Sequence, residues 1–177
     1  GDGDGIAAFG ADRSGFGQTN DGCNAIALAP NNLIVVGGVS RDNDDSRFFV
    51  ARLQDNGSLD ANFGGGDGMV VTDINELTDV VNNIVVQANG KIIAGGLGVD
   101  GGSEFGMLAR YNSSGSLDTS FDGDGIRATP THAVSTNAQF FERGIRGLAL
   151  QASGNILLIE DKDGTPVLRR LTANGST

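Results

Sequence analysis

The chain has 177 residues, 38% of them hydrophobic, with 29 glycines and 3 prolines; there is enough apolar material for a core, but glycine interrupts it too often for a helical one. Twenty-two acidic residues face 12 basic ones, a formal net charge of −10, which excludes a nucleic-acid role because phosphate binding needs clustered Lys and Arg. No apolar run is long enough to span a membrane as a helix, and the single cysteine, Cys23, excludes an intrachain disulfide.

The chain opens on the turn Asp2-Gly3-Asp4-Gly5, followed by the apolar strand Ile6-Ala7-Ala8-Phe9. Residues 25–28 and 33–36 are two apolar runs joined by Pro30-Asn31-Asn32, a hairpin whose asparagines suit the positive φ of a tight primed turn. Cys23 before it is expected as a small, half-buried residue beside a turn. The acidic stretch Arg41-Asp42-Asn43-Asp44-Asp45-Ser46 is expected as a solvated loop, with cation binding as the sharper alternative. A third strand at 49–53 leads into Asn56-Gly57-Ser58-Leu59-Asp60 with Phe63, and a fourth covers 67–71.

The same order then returns. Residues 84–86, the turn 88–90, and residues 92–94 and 107–111 lead to Ser114-Gly115-Ser116-Leu117-Asp118 with Phe121, a shift of 58 from the first copy, and 124–128 follows as the fourth strand. Residues 148–150, 152–154, 156–159 and 167–171 begin a third copy that reaches Asn174-Gly175-Ser176. Short Val/Ile/Leu runs punctuated by Gly and Asn argue strands and turns throughout, and a period of this length means one supersecondary unit stacked repeatedly.

The predicted fold is therefore all-β: a β-propeller-type array of three four-stranded blades with an offset N-terminal closing strand. Repeat 1 covers 1–64 (closing strand 1–10, blade 23–64), repeat 2 covers 65–122, and repeat 3 covers 123–177 without its last strand. Propeller rings usually take about four to eight blades, so the open edges at 5–9 and beside 167–171 are expected to find strand partners. The partners would be a second copy, joined by strand exchange into a ring or filament, or further blades of a longer polypeptide.

The strings Ile84-Val85-Val86-Gln87-Ala88-Asn89-Gly90-Lys91-Ile92-Ile93-Ala94-Gly95-Gly96 and Met107-Leu108-Ala109-Arg110-Tyr111 through Gly115-Ser116-Leu117-Asp118-Thr119-Ser120-Phe121 resemble the bacterial delta-60 repeat. The resemblance implies a propeller-like β-repeat of large secreted or surface proteins, without an assigned activity. The third copy departs from it at Ile159-Glu160, where the others have Gly37-Gly38 and Gly95-Gly96, and carries an insertion around 131–143 that predicts an irregular blade edge.

Three sets of residues carry candidate chemistry. Asp2, Asp4, Asp67, Asp122 and Asp124 sit in Asp-Gly turns; closely spaced carboxylates suit Ca²⁺, although a turn before a strand selects Asp and Gly without any metal. Arg52, Arg110 and Arg170 recur at one place in each third strand and are expected to pair with carboxylates or carbonyls between blades. Asp60 and Asp118 are expected to cap the following turn through backbone amides. Asp118-Thr119-Ser120 mimics an aspartic-protease triplet, but its counterpart reads Asp60-Ala61-Asn62. Gly96-Leu97-Gly98-Val99-Asp100-Gly101 fits a dinucleotide pattern without the helix that pattern needs. His132, placed in a loop, has no second histidine or nucleophile beside it.

The expected function is a non-enzymatic extracellular repeat module serving as a structural or protein-interaction surface, with no cofactor. One alternative is a calcium-stabilised propeller that binds carbohydrate or a cell surface. Another is an enzyme whose site lies at the central channel, since catalytic residues drawn from separate blades leave no local motif.

Overall fold

The computed structural model describes residues 5–9, 21–42, 45–74, 78–100, 103–129, 132–133, 144–162 and 165–177. Strands dominate: β1 (Gly22–Leu28), β2 (Ile34–Asp42), β3 (Asp45–Leu53), β4 (Met69–Thr72), β5 (Thr78–Val86), β6 (Ile92–Asp100), β7 (Ser103–Tyr111), β8 (Ile126–Ala128), β9 (His132–Ala133), β10 (Ile145–Leu150), β11 (Ile156–Lys162) and β12 (Thr165–Leu171). Helix among the described residues is limited to one 3₁₀ turn, Pro30–Asn32.

The strands form successive antiparallel units. β1 to β4 pair in chain order, as do β5 to β8, with β9 added to β7; β10, β11 and β12 form a separate sheet. Among the described residues one parallel pairing, Ser46 with Thr78, joins the strands of the first two units. This is an all-β, propeller-type architecture.

Strand alternation decides where the core lies. In β3, Phe48 and Val50 face the second unit and join Val81 and Ile84, while Phe49, Ala51 and Leu53 face the other way. In β7, Met107, Ala109 and Tyr111 point back to the first unit, and Leu108 points forward to Ile145, Leu158 and Leu171. β7 is thus apolar on both faces because a neighbouring unit covers each, while the second face of β3 is covered by Phe9 and by Leu59, Met69 and Val71 of its own unit; burial of both faces explains why 48–51 and 107–109 are unbroken apolar or small runs.

Glycine makes the approach close. A Cβ on Gly37 would collide with Ile84 and lie 2.8 Å from Val81, and one on Gly95 would lie 3.3 Å from Ile145. The first strand of each following unit therefore packs onto a glycine in the second strand of the unit before it. Bulges in β1, β5 and β10 add a polar link: Asn24 donates to the Val81 carbonyl at 3.0 Å and Asn83 to the Ile145 carbonyl at 2.9 Å.

Several expectations are corrected. The hairpins at 87–91 and 151–155 are not primed two-residue turns: Gly90 donates to the Gln87 carbonyl and Gln87 to the Lys91 carbonyl, and the second hairpin repeats this. Only Gly90 and Gly154 have positive φ there, so each is a three-residue type I turn with a glycine bulge. Residues 5–9 form no strand. Phe9 instead packs on Phe49, ring centroids 6.4 Å apart. Cys23 is an exposed residue of β1. His132 lies in β9, opposite Glu104; residues 134–143 of the insertion lie outside the described residues.

Candidate functional site

The recurring arginines sit at the seams between units. After β3 the turn at Gln54–Ser58 reverses the chain, so the Asp60 amide donates to the Arg52 carbonyl at 2.9 Å; Asp118 returns to Arg110 in the same way at 2.8 Å. This brings a carboxylate beside each guanidinium. Arg52 Nε donates to Asp60 Oδ2 at 2.8 Å, and Arg110 Nε to Asp118 Oδ2 at 2.6 Å. The other carboxylate oxygen caps the next turn, accepting from the Asn62 amide at 3.0 Å or the Ser120 amide at 3.2 Å.

A phenylalanine closes one face of each guanidinium: Arg52 Cζ lies 4.8 Å from the Phe63 ring centre and Arg110 Cζ 4.7 Å from that of Phe121. The remaining donors reach forward. Arg52 Nη1 donates to the Ser113 carbonyl and Arg110 Nη1 to the Ala173 carbonyl, each in the third-strand turn of the next unit. Backbone bonds lie alongside, from the Gly64 amide to Ser114 O and from the Asp122 amide to Asn174 O, both 3.0 Å. Those turns hold glycine where the phenylalanine packs: a Cβ would lie 3.2 Å from Phe63 at Gly115 and 2.7 Å from Phe121 at Gly175. Arg, Asp and Phe of one unit therefore form a clamp that grips the Gly-Ser turn of the next.

The two clamps differ in charge. Lys91 Nζ adds a second contact to Asp118 Oδ2 at 2.6 Å, whereas the aligned residue in the first unit is Leu33. Burial alone would push the Asp118 carboxyl up, but hydrogen bonds from Lys91 and Ser120 and the Arg110 charge outweigh it and hold the group well below the usual carboxylate range. The Asn62 amide bond, against burial and with the help of Arg52, also lowers Asp60. Arg170 is not clamped: it is exposed and has no ion-pair partner among the described residues.

The acidic turns are occupied by their own backbone. Asp67 Oδ1 accepts from the Met69 amide at 3.1 Å and Asp124 Oδ1 from the Ile126 amide at 2.8 Å, while Asp122 pairs with Arg127 at 3.0 Å. Asp2 and Asp4 lie outside the described residues, among which no three potential His, Cys, Asp or Glu ligands gather. In the 41–46 stretch Asp45 pairs with Arg47 at 2.6 Å. Asp118 of the Asp-Thr-Ser triplet faces Arg110 and Lys91, an arrangement that keeps it ionised and closed to proton transfer. Residues 96–100 of the glycine-rich pattern run inside β6.

Two further seam features had only a faint signal in the sequence. Thr72 and Tyr111 share a buried hydrogen bond of 2.8 Å between the first two units, and burial pushes the Tyr111 hydroxyl up. At the next seam Leu171 takes the tyrosine's aligned place, and the buried Thr129 hydroxyl has no partner among the described residues. Glu160 pairs with Arg169, Nε to Oε1 2.8 Å. The residues aligned with this pair, Gly96 and Ala109, are both small, so the departures at 160 and 169 belong together.

Residues 29–63 and 87–121 match the model of a domain of unknown function (DUF5122) described as a β-propeller. Both segments run from the hairpin turn through the second and third strands and end on the clamp phenylalanines, Phe63 and Phe121. No curated protein matches the chain. Among solved structures the chain is similar to Sqt1 from Chaetomium thermophilum, at 13% identity and a TM-score of 0.32; the match covers 88% of this chain and 37% of that one.

Proposed function

We propose that the chain is a non-enzymatic, exported bacterial β-propeller-type module that serves as a structural or protein-interaction surface. One observation carries this reading: the polar residues that recur from unit to unit, Arg52 and Arg110 with Asp60 and Asp118, are consumed in gripping the next unit. Their recurrence reflects stacking, and among the described residues the recurring Asp67 and Asp124 are likewise held by backbone amides. The test labels intact source cells with a membrane-impermeant reagent and assays the purified chain against hydrolase and transferase substrates. Labelling of the chain without turnover supports the proposal. Turnover abolished by a single substitution, or recovery only from lysed cells, overturns it.

A calcium-stabilised, carbohydrate- or cell-surface-binding propeller is the second reading, favoured by a cleft of about 460 Å³ between the first two units. Asn62, Asn89, Ser113 and Ser114 line it with amides and hydroxyls suited to sugar hydroxyls. Calcium titration and a glycan array decide for it if both give saturable binding.

A further inference from the structure

The contact between units is made twice inside the chain, and versions of its two halves stand on the first and third units, the first open apart from Phe9 on Phe49. On the third unit, Leu168 and Ile159 are 69% and 47% exposed beside Arg170. Leu168 aligns with Val50 and Leu108, both fully buried under the next unit. On the first unit, Ile26 and Leu28 are 71% and 76% exposed, whereas Ile84, aligned with Ile26, is 8% exposed against Gly37. Exposed aliphatic patches of this kind mark interaction surfaces.

The two uncovered faces do not copy the internal contact; they differ from it in matched pairs. Inside the chain, a glycine of the second strand, Gly37 or Gly95, takes the bulk of Val81 or Ile145 from the following first strand. On the uncovered faces the second-strand position is Ile159 and the first-strand position is Cys23, so the large and small members have changed sides. Charge changes in the same way. The internal arginines have an Asp partner and reach the turn carbonyl of Ser113 or Ala173, both neutral residues. Arg170 has no ion-pair partner among the described residues, and the aligned turn residue on the first unit is the exposed acid Asp55.

We propose, on the reading of the chain as an interaction module, that the Leu168 face of one copy docks head to tail on the Ile26 face of a second copy. Arg170 meets the Asp55 carbonyl and carboxylate, and Ile159 seats over Cys23. This is a face-to-face contact between side chains, separate from any donation of residues 6–9 as a strand. Because the two faces differ, the contact is heterologous, and it closes into a ring or propagates according to the rotation per copy.

Light scattering of the purified chain across a concentration series tests it, with Leu28→Asp and Leu168→Asp as single-face variants and circular dichroism to confirm that each stays folded. The wild type is expected to give species heavier than the 18.1 kDa monomer, each variant alone to be monomeric, and an equimolar mixture of the two to regain a dimer through the one intact pair of faces. A wild type that stays monomeric, or a mixture that stays monomeric, overturns the proposal. Should either variant unfold, the reaction of Cys23 with a thiol reagent decides on the wild type alone. The rate is expected to fall as the chain is concentrated, and a constant rate overturns the contact. These outcomes are independent of the labelling and turnover that test the function.

Discussion

Replacing the two clamped arginines by alanine should cost unequal amounts, because only one of the partner carboxylates has a second cation. Arg52→Ala leaves Asp60, 4% exposed, with no counter-ion among the contacts described, and breaking a buried pair from one side costs about 3–5 kcal/mol. It also removes the contact with Phe63 and the bond to Ser113. Arg110→Ala leaves Asp118 with Lys91 at 2.6 Å and Ser120, so the loss is closer to that of a charge-assisted hydrogen bond, about 1.5–3 kcal/mol. At about 2–4 °C per kcal/mol for a domain of this size, Arg52→Ala should lower the melting temperature by about 6–20 °C and Arg110→Ala by clearly less. Thermal and urea unfolding measure both. Adding Lys91→Ala to Arg110→Ala should bring its cost up to that of Arg52→Ala. Equal costs for the two single variants, or Arg52→Ala within about 1 kcal/mol of wild type, would refute the reasoning.

Gly175→Ala should destabilise more than Gly154→Ala in urea melts: both have positive φ, but the new Cβ meets Phe121 at 2.7 Å in the first case and only Ala173 at 3.5 Å in the second. Thr72→Val should cost about 1–3 kcal/mol by orphaning the buried Tyr111 hydroxyl, whereas Thr129→Val should be neutral or stabilising because its hydroxyl already lacks a partner. Stability should fall with pH at both ends. Asp60 and Asp118 have folded pKa values below the ordinary carboxylate value of about 4, so their contribution is complete above that pH and is lost as pH falls through the folded values. Tyr111 is raised above its ordinary value of about 10, so its contribution holds below that pH and is lost as pH rises further. Urea midpoints across pH check both limbs, and Asp118→Asn should flatten the acid limb.

The strands were legible because hydrophobic runs and turn residues are local signals. Each run named from the repeat alignment falls in or largely overlaps an observed strand, from 25–28 within β1 to 167–171 within β12. The strand expected at 6–9 failed because an apolar pattern does not distinguish a run paired through its backbone from one packed through its side chains, as Phe9 packs on Phe49. The turn type was missed because Asn-Gly or Ser-Gly fits both a primed turn and a glycine bulge; the extra residue, Ala88 or Ala152, was the discriminating feature. In the clamp, the eight-residue spacing from Arg52 to Asp60 and from Arg110 to Asp118 was visible in the repeat. Its forward contact with Ser113 or Ala173 was not, because those residues have little in common beyond their place in the turn. The partnership of Glu160 with Arg169 was readable in principle, since two small positions became charged in the same copy.

Hydrogen–deuterium exchange on wild type and Arg52→Ala tests most directly the claim that each clamp ties its own unit to the next. Faster exchange is expected at Gly64, whose amide bonds Ser114, and across the turn from Asn112 to Ser116 in the second unit, with the turn from Thr172 to Ser176 unchanged. Unchanged protection from Asn112 to Ser116, or an equal loss in both turns, would contradict it.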